Sequence, residues 1–197
     1  MKKTIALLTA VVLLASLCAC GAASQVSGEY ADLNGDARYT FTRTDGSKGE
    51  YGGTCRYTRD GKDESTAGWY VENGTVTIGG EAVFLCKGEY LAFIDSRCDG
   101  VTVNNRTLTG KTVPANDSDS GLASLLNGLI LTFHGDGTCE AESDVALIFS
   151  NTYKGTYKVE GAAVTLTFPE KDTLNRTCLI VDGALYYNGL KQAESAA

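Results

Sequence analysis

The chain has 197 residues, of which 43% are hydrophobic and 21% are charged, so it has the apolar content of a folded protein rather than a disordered one. Its 23 glycines and only 2 prolines exclude collagen and proline-rich linkers. The net charge of −7 argues against a nucleic-acid partner, because binding to phosphates requires clustered lysine and arginine.

Residues 1–19 have the composition of an export signal. Lys2 and Lys3 form a short basic segment, and an apolar run follows through residues 4–17. This run is short for a bilayer-spanning helix, which favours a cleaved signal peptide over a transmembrane anchor. We therefore expect residues 1–19 to be removed and the mature protein to be extracytoplasmic.

The residues at the expected cleavage point carry a second signal. Leu17 lies three positions before Cys20, and the small residue Ala19 lies directly before it. This arrangement resembles the bacterial lipobox, which implies a thioether-linked diacylglycerol on Cys20, residues 20–27 as a tether, and membrane anchoring in the cell envelope. The alternative is an ordinary secretory signal with two incidental cysteines.

Alternating apolar and polar residues predict antiparallel strands from residue 37 onward. Tyr39 and Phe41 share one face of the first clear strand, and the turn sequences Asp45-Gly46 and Asn73-Gly74 are typical of hairpins. The strands expected in this half lie in residues 38–42, 51–57, 69–71, 76–78, 82–87 and 90–94.

The second half has the same character. Its expected strands lie in residues 129–133, 156–159, 163–168, 176–181 and 184–187. One short helix is predicted near residues 120–127, because leucines recur with helical spacing at positions 122, 125, 126 and 129.

The two halves repeat the same features in the same order, which indicates an internal duplication. Residues 71–78 (VENGTVTI) align with residues 159–166 (VEGAAVTL). A Phe followed by an Asp-Gly turn occurs in both halves, at Phe41 and at Phe133. We expect a first lobe at residues 28–99, a second at residues 100–190, and a C-terminal tail at residues 191–197.

These turns and strands resemble those of lipocalin-like and related small antiparallel β-barrel domains of bacterial lipoproteins, over most of residues 28–190. The resemblance implies an all-β fold with two tandem lipocalin-like barrel or sandwich lobes and one short helix. A single eight-stranded barrel that uses the chain once is the alternative. The shared features are turns and inward-facing aromatic residues, so they specify a fold better than an activity.

Five cysteines follow the lipobox, and export exposes them to oxidising conditions. If the halves are duplicated, Cys55 corresponds to Cys139 and Cys86 to Cys178. We therefore expect disulfides Cys55–Cys86 and Cys139–Cys178, with Cys98 left over. Since the mature chain contains no Cys-x₂-Cys pair and only one histidine, no metal site is predicted.

The sequence contains no motif that predicts catalysis. The single histidine, His134, lies beside a Gly135-Asp136-Gly137 turn, and the chain has no Gly-x-Ser-x-Gly nucleophile motif. We therefore expect a protein that is not an enzyme and needs no cofactor.

The aromatic residues are the best candidates for ligand contact. Trp69 and Tyr157 occupy equivalent places in the two halves, and with Tyr39 and Phe133 they are candidates to line a cavity mouth, although most such residues belong to a core. The expected function is binding of a small or apolar ligand. The alternative is a protein-interaction or inhibitor module of the envelope, without a cavity, that uses loops 59–66 and 113–120.

Overall fold

A computed structural model describes residues 26–35, 37–44, 51–59, 62–114, 129–145 and 149–194. The described chain is all-β and forms two closed, eight-stranded antiparallel barrels. Seven strands of the first barrel follow one another in sequence: β1 (Gly28–Asp32), β2 (Arg38–Arg43), β3 (Tyr51–Arg59), β4 (Lys62–Glu72), β5 (Thr75–Ile78), β6 (Ala82–Lys87) and β7 (Tyr90–Phe93).

The second barrel is a continuous up-and-down meander. Its strands are β8 (Arg97–Asn104), β9 (Thr107–Pro114), β10 (Leu129–Phe133), β11 (Thr138–Val145), β12 (Phe149–Glu160), β13 (Ala163–Thr167), β14 (Arg176–Val181) and β15 (Ala184–Tyr186). Short 3₁₀ turns at Ile94–Ser96 and Asp172–Leu174 are the only helical elements among the described residues. The helix expected near residues 120–127 lies outside the described residues.

Side-chain alternation explains why these segments form a barrel wall. On β2, Phe41 is buried and Tyr39 is half-buried in the interior, whereas Arg38 and Thr42 are exposed. Because successive residues of a strand point to opposite faces, this pattern turns one face of the strand into the barrel and leaves the other in water.

The strand registers of the two barrels are equivalent, which confirms the internal repeat. Phe41 lies opposite Cys55 in the first barrel, as Phe133 lies opposite Cys139 in the second. The remaining pairs match around the barrels: Gly28–Phe41 with Gly110–Phe133, Cys55–Ala67 with Cys139–Gly155, Val71–Val76 with Val159–Val164, Val76–Phe84 with Val164–Cys178, Cys86–Leu91 with Ile180–Leu185, and Leu91–Leu190 with Leu185–Cys98.

The first barrel is closed by the last strand of the chain, β16 (Gly189–Gln192), which pairs with β7 on one side and β1 on the other. In the second barrel, β8 holds the same position between β15 and β9. If one repeat runs from β1 to β8 and the other from β9 to β16, each repeat gives its eighth strand to the other barrel.

The two crossing segments are joined by backbone hydrogen bonds. Phe93 N–H donates to the Asn188 carbonyl at 3.2 Å, and Tyr187 N–H donates to the Ser96 carbonyl at 2.9 Å. The second lobe expected at residues 100–190 is therefore a barrel that begins with β8 at Arg97. Residues 189–192, which the expected boundary divides between the second lobe and the tail, form a strand of the first barrel.

An apolar layer lies between the barrels. Ala92 of the first barrel is buried with Leu179, Val181 and Tyr186 of the second. Gly189 permits close packing here, since a Cβ at that position would collide with the Leu179 side chain. Polar contacts join the barrels as well: the Asn34 side-chain amide exchanges hydrogen bonds of 2.8 and 2.6 Å with the Thr177 backbone, and Lys87 pairs with Asp182 at 2.6 Å.

Candidate functional site

The middle of the first barrel is filled by aromatic side chains. Trp69 is 2% exposed, and its ring meets those of Phe41 and Tyr51 edge to face, at centroid distances of 5.3 and 5.6 Å. At this end of the barrel, buried Val26 donates its backbone N–H to the Tyr51 hydroxyl at 3.3 Å. The chain therefore enters the barrel at the end where β1 begins.

The opposite end of the first barrel holds a cavity of about 270 Å³. We call it the mouth cavity. Its lining residues are Asp32, Tyr39, Tyr57, Phe84, Phe93, Asn188, Gly189 and Leu190. Six of these form three cross-strand pairs in register, namely Tyr39–Tyr57, Phe84–Phe93 and Asp32–Leu190, so the strand pairing itself places them together.

Four aromatic rings form a continuous wall of the mouth cavity. Tyr39 and Tyr57 have ring centroids 4.6 Å apart, and Phe84 lies 6.3 Å from Tyr39 and 5.1 Å from Phe93. The last two contacts are edge to face, which leaves ring faces turned away from their neighbours. This arrangement forms an aromatic corner rather than a flat stack.

Asp32 is the acidic group of the mouth cavity. Its Oδ1 accepts the Asn34 N–H at 2.8 Å, which fixes the carboxylate in the turn after β1. Burial, and after it the neighbouring Tyr57 and Asp32, raise the pKa of Tyr39 well above its usual range. The Tyr39 hydroxyl therefore stays protonated and uncharged.

The corresponding end of the second barrel is built differently. Leu131 and Ala141 replace the pair Tyr39–Tyr57, and the registers place Cys178 where the first barrel has Phe84. Tyr187, at the position of Phe93, carries the guanidinium carbon of Arg176 over its ring, 4.5 Å from the centroid. The second barrel therefore supplies its own cation at this end.

Of the four predicted ligand residues, Tyr39 alone lines the mouth cavity. Trp69 and Tyr157 do occupy equivalent positions, as expected, but both are structural. Trp69 Nε1 donates to the Thr42 carbonyl at 3.3 Å, and the Tyr157 hydroxyl donates to the equivalent His134 carbonyl at 2.8 Å.

Phe133 packs in the core of the second barrel, with its ring centroid 5.4 Å from that of Tyr157. The aromatic residues nearest the barrel end, Tyr57, Phe84 and Phe93, were not singled out as ligand residues. What distinguishes these three residues is their position near the strand ends that surround the mouth cavity. The sequence alone does not reveal this position, because it depends on the register of the strands.

The two expected disulfides, Cys55–Cys86 and Cys139–Cys178, are not formed, because Cys55, Cys139 and Cys178 are free thiols. Cys55 lies on β3 and Cys86 on β6, three strands away, and Cys139 and Cys178 are separated in the same way on β11 and β14. Three strand spacings amount to about 14 Å along the wall, whereas a disulfide needs Cα atoms within roughly 7 Å.

The registers also correct one of the cysteine correspondences. Cys55 and Cys139 are equivalent, but Cys86 corresponds to Ile180, and Cys178 corresponds to Phe84. Burial raises the pKa of the thiols of Cys55, Cys98 and Cys139 to about 11 and that of Cys178 to about 12, so these thiols pack as apolar side chains.

A second, wider space of about 620 Å³ lies along the joint between the barrels. Its lining comes from residues 33–35, 165–167 and 175–177 and includes no aromatic ring. The hydrogen bonds between Asn34 and Thr177 bridge this joint, so it belongs to the packing of the two barrels.

Other kinds of site are not found in the described part of the chain. No group of three or more His, Cys, Asp or Glu side chains there is arranged to hold a metal ion. His134 is exposed beside the turn after β10, where its backbone N–H donates to the Thr138 carbonyl at 3.0 Å. Within the described residues, no helix combines the length and the hydropathy needed to cross a membrane.

Comparison with models of known protein families, with curated proteins and with solved structures found no match to this chain. The two eight-stranded antiparallel barrels fit lipocalin-like repeats at the level of fold.

Proposed function

We propose that this protein is a lipid-anchored, non-enzymatic binding module of the bacterial cell envelope that holds a small ligand in the mouth cavity. The observation that carries the proposal is the mouth cavity itself. The barrel below it is filled by Trp69 and its neighbours, whereas the end lined by Tyr39, Tyr57, Phe84 and Phe93 keeps about 270 Å³ of open space.

The size of the mouth cavity sets the class of ligand. At roughly 30 Å³ per water molecule, its volume equals about nine waters, just below the range of most drug-sized pockets. This space suits a compact molecule or a terminal group of a larger one. An eight-stranded barrel whose interior is mostly packed leaves room for such a ligand only at an end.

Anchoring follows from the lipobox resemblance. A diacylglycerol on Cys20 supplies two acyl chains, which is enough for stable attachment, and the chain from Cys20 reaches the first barrel at the end away from the mouth cavity. The ligand site therefore opens on the side of the barrel opposite to the tether. The alternative is a protein-interaction module that uses loops 59–66 and 113–120. Most of the first expected loop is strand, because β3 ends at Arg59 and β4 begins at Lys62, and most of the second lies outside the described residues.

Binding is tested with three probes that share one shape and differ in charge: choline, 3,3-dimethylbutan-1-ol and 3,3-dimethylbutyrate. The protein is purified with its lipid in a maltoside detergent, which contains no ammonium group, and backbone amide NMR shifts are recorded during titration. We expect at least one probe to shift the amides of Tyr39, Phe84 and Phe93 in a saturable way. If all three probes leave these amides unchanged, the proposed binding site is refuted.

Anchoring is tested separately by expressing the full chain and its Cys20→Ser variant in bacteria and fractionating the cells. We expect the unmodified chain in the membrane fraction and a lower share of Cys20→Ser there, with Cys18→Ser as the matched control that stays membrane-bound. Equal partitioning of Cys20→Ser and the unmodified chain would refute lipid attachment at Cys20.

A further inference from the structure

We propose, building on the binding function above, that the mouth cavity takes a small organic cation, an alkyl-substituted ammonium group, held by ring faces and by the carboxylate of Asp32. Three observations carry this inference: the aromatic wall, the carboxylate at its edge, and the guanidinium that the second barrel places on the ring equivalent to Phe93.

The aromatic wall matches a cation with an apolar surface. The face of an aromatic ring carries partial negative charge and attracts a cation within about 6 Å of its centroid, most strongly where water is excluded. Tyr39, Tyr57, Phe84 and Phe93 surround one space of about 270 Å³, so a single ammonium group contacts several rings at once. Its alkyl substituents bury apolar area against the same rings.

The carboxylate gives the mouth cavity the sign of charge that such a ligand needs. Asp32 Oδ1 accepts a hydrogen bond from the Asn34 backbone N–H. No lysine or arginine of the described residues forms a salt bridge with the Asp32 carboxylate. Among the side chains that the structure describes, no basic residue lines the mouth cavity, and its other polar groups are the neutral amide of Asn188 and the hydroxyls of Tyr39 and Tyr57. Within this lining, an anion would therefore meet one carboxylate and no cationic group.

The second barrel provides an internal comparison. There, Arg176 lies 4.5 Å over the ring of Tyr187, and small Cys178 stands in place of Phe84 and leaves room beside it. The position of Ala82 in the first barrel corresponds to that of Arg176, because Phe84 and Cys178 correspond two residues further along each strand. The first barrel thus keeps the ring but has no cationic side chain of its own at this position.

The test compares choline with its neutral carbon isostere, 3,3-dimethylbutan-1-ol, by isothermal titration calorimetry on the lipidated protein in maltoside detergent at constant ionic strength. We expect choline to bind at least about tenfold more tightly, with amide shifts at Tyr39, Phe84 and Phe93. Equal affinity for the two probes, or choline shifts that map to another part of the chain, would overturn the inference.

Two variants identify the groups responsible. Asp32→Asn keeps Oδ1 for the turn and removes the charge, so the affinity for choline should fall by roughly fivefold while the affinity for the alcohol stays the same. Asp172→Asn removes an exposed carboxylate elsewhere and is the matched control, expected to leave both affinities unchanged. If Asp32→Asn binds choline as tightly as Asp172→Asn does, the charge of Asp32 does not contribute to choline binding.

The probes separate this inference from the function on which it rests. If the alcohol or 3,3-dimethylbutyrate shifts the mouth-cavity amides and choline does not, the mouth cavity is a ligand site of a different chemistry and the cation inference alone fails. If none of the three probes shifts them, both fail. The comparison of probes uses the unmodified chain, so it does not depend on the folding of any variant.

Discussion

The exchange of closing strands predicts that a substitution at position 190 destabilises a barrel formed mainly by residues 28–93. Leu190 lies on β16 and packs in the core of the first barrel, opposite Leu91 in register. The same core contains Trp69, the only tryptophan of the chain. Leu190→Ala should therefore change the unfolding transition that Trp69 reports, although the two residues are far apart in sequence.

The size of the effect follows from the surroundings of Leu190. Replacing a buried leucine with alanine costs about 2–5 kcal/mol of unfolding free energy, through lost apolar burial and the space left behind. Leu190 is 3% exposed, but it also lines the mouth cavity, so part of its surface has no packing partner to lose. We therefore expect the lower part of that range, about 2–3 kcal/mol.

The assay is urea denaturation followed by tryptophan fluorescence. With a denaturant dependence of about 2 kcal/mol per molar urea, the midpoint for Leu190→Ala should fall by about 1–1.5 M. Lys191→Ala is the control on the same strand, because Lys191 is partly exposed and its 3.9 Å ion pair with Glu89 contributes less than about 1 kcal/mol. A Leu190→Ala transition that coincides with that of the unmodified chain would show that β16 does not close the barrel around Trp69.

Three further predictions concern the second barrel and the thiols. Tyr157→Phe should lower the free energy of unfolding by about 1–3 kcal/mol in urea denaturation, because it leaves the buried Leu108 N–H without its 2.9 Å acceptor; an unchanged midpoint would contradict the structural role of this hydroxyl. In the native protein at pH 8, the buried thiols of Cys55, Cys98, Cys139 and Cys178 should react with Ellman's reagent far more slowly than in urea, and native reaction of more than one thiol after the lipobox at the denatured rate would contradict their burial. The contribution of the buried thiols to stability should be constant below about pH 9 and fall as the pH rises toward about 11, because unfolded thiols lose protons near their ordinary pKa of 9.0 while those of Cys55, Cys98 and Cys139 keep theirs up to a pKa of about 11; denaturation curves that coincide at pH 8 and pH 10.5 would contradict this linkage.

Local pattern was sufficient to predict the repeat and most of the strands, but not β1, β8, β9 or β16. Alternation at Tyr39 and Phe41 is a property of a few neighbouring residues, and the aligned residues 71–78 and 159–166 form equivalent hairpins because a two-residue turn fixes the register in each. Phe41 and Phe133 also lie opposite equivalent cysteines, although 13 residues separate Phe41 from Cys55 and only five separate Phe133 from Cys139.

Non-local closure could not be predicted in this way. The strand Gly189–Gln192 is four residues long, and its partners β1 and β7 are distant in sequence, so no local feature says which barrel it joins. The disulfide prediction is wrong because the order of the cysteines along the chain does not determine how far apart they lie around a barrel. The sequence pattern could not distinguish Trp69 in the core from Phe84 and Phe93 at the mouth cavity. The distance of a residue from the barrel end depends on both the register and the strand lengths.

The most direct test of the proposed function is one mass measurement on the protein extracted from bacterial membranes, recorded first under native conditions and then after denaturation. We expect the denatured mass of a chain that starts at Cys20 and carries a thioether-linked diacylglycerol, and a native mass that is larger by one small bound molecule. A chain without lipid, with the same mass in both conditions, would contradict both the anchoring and the occupied mouth cavity.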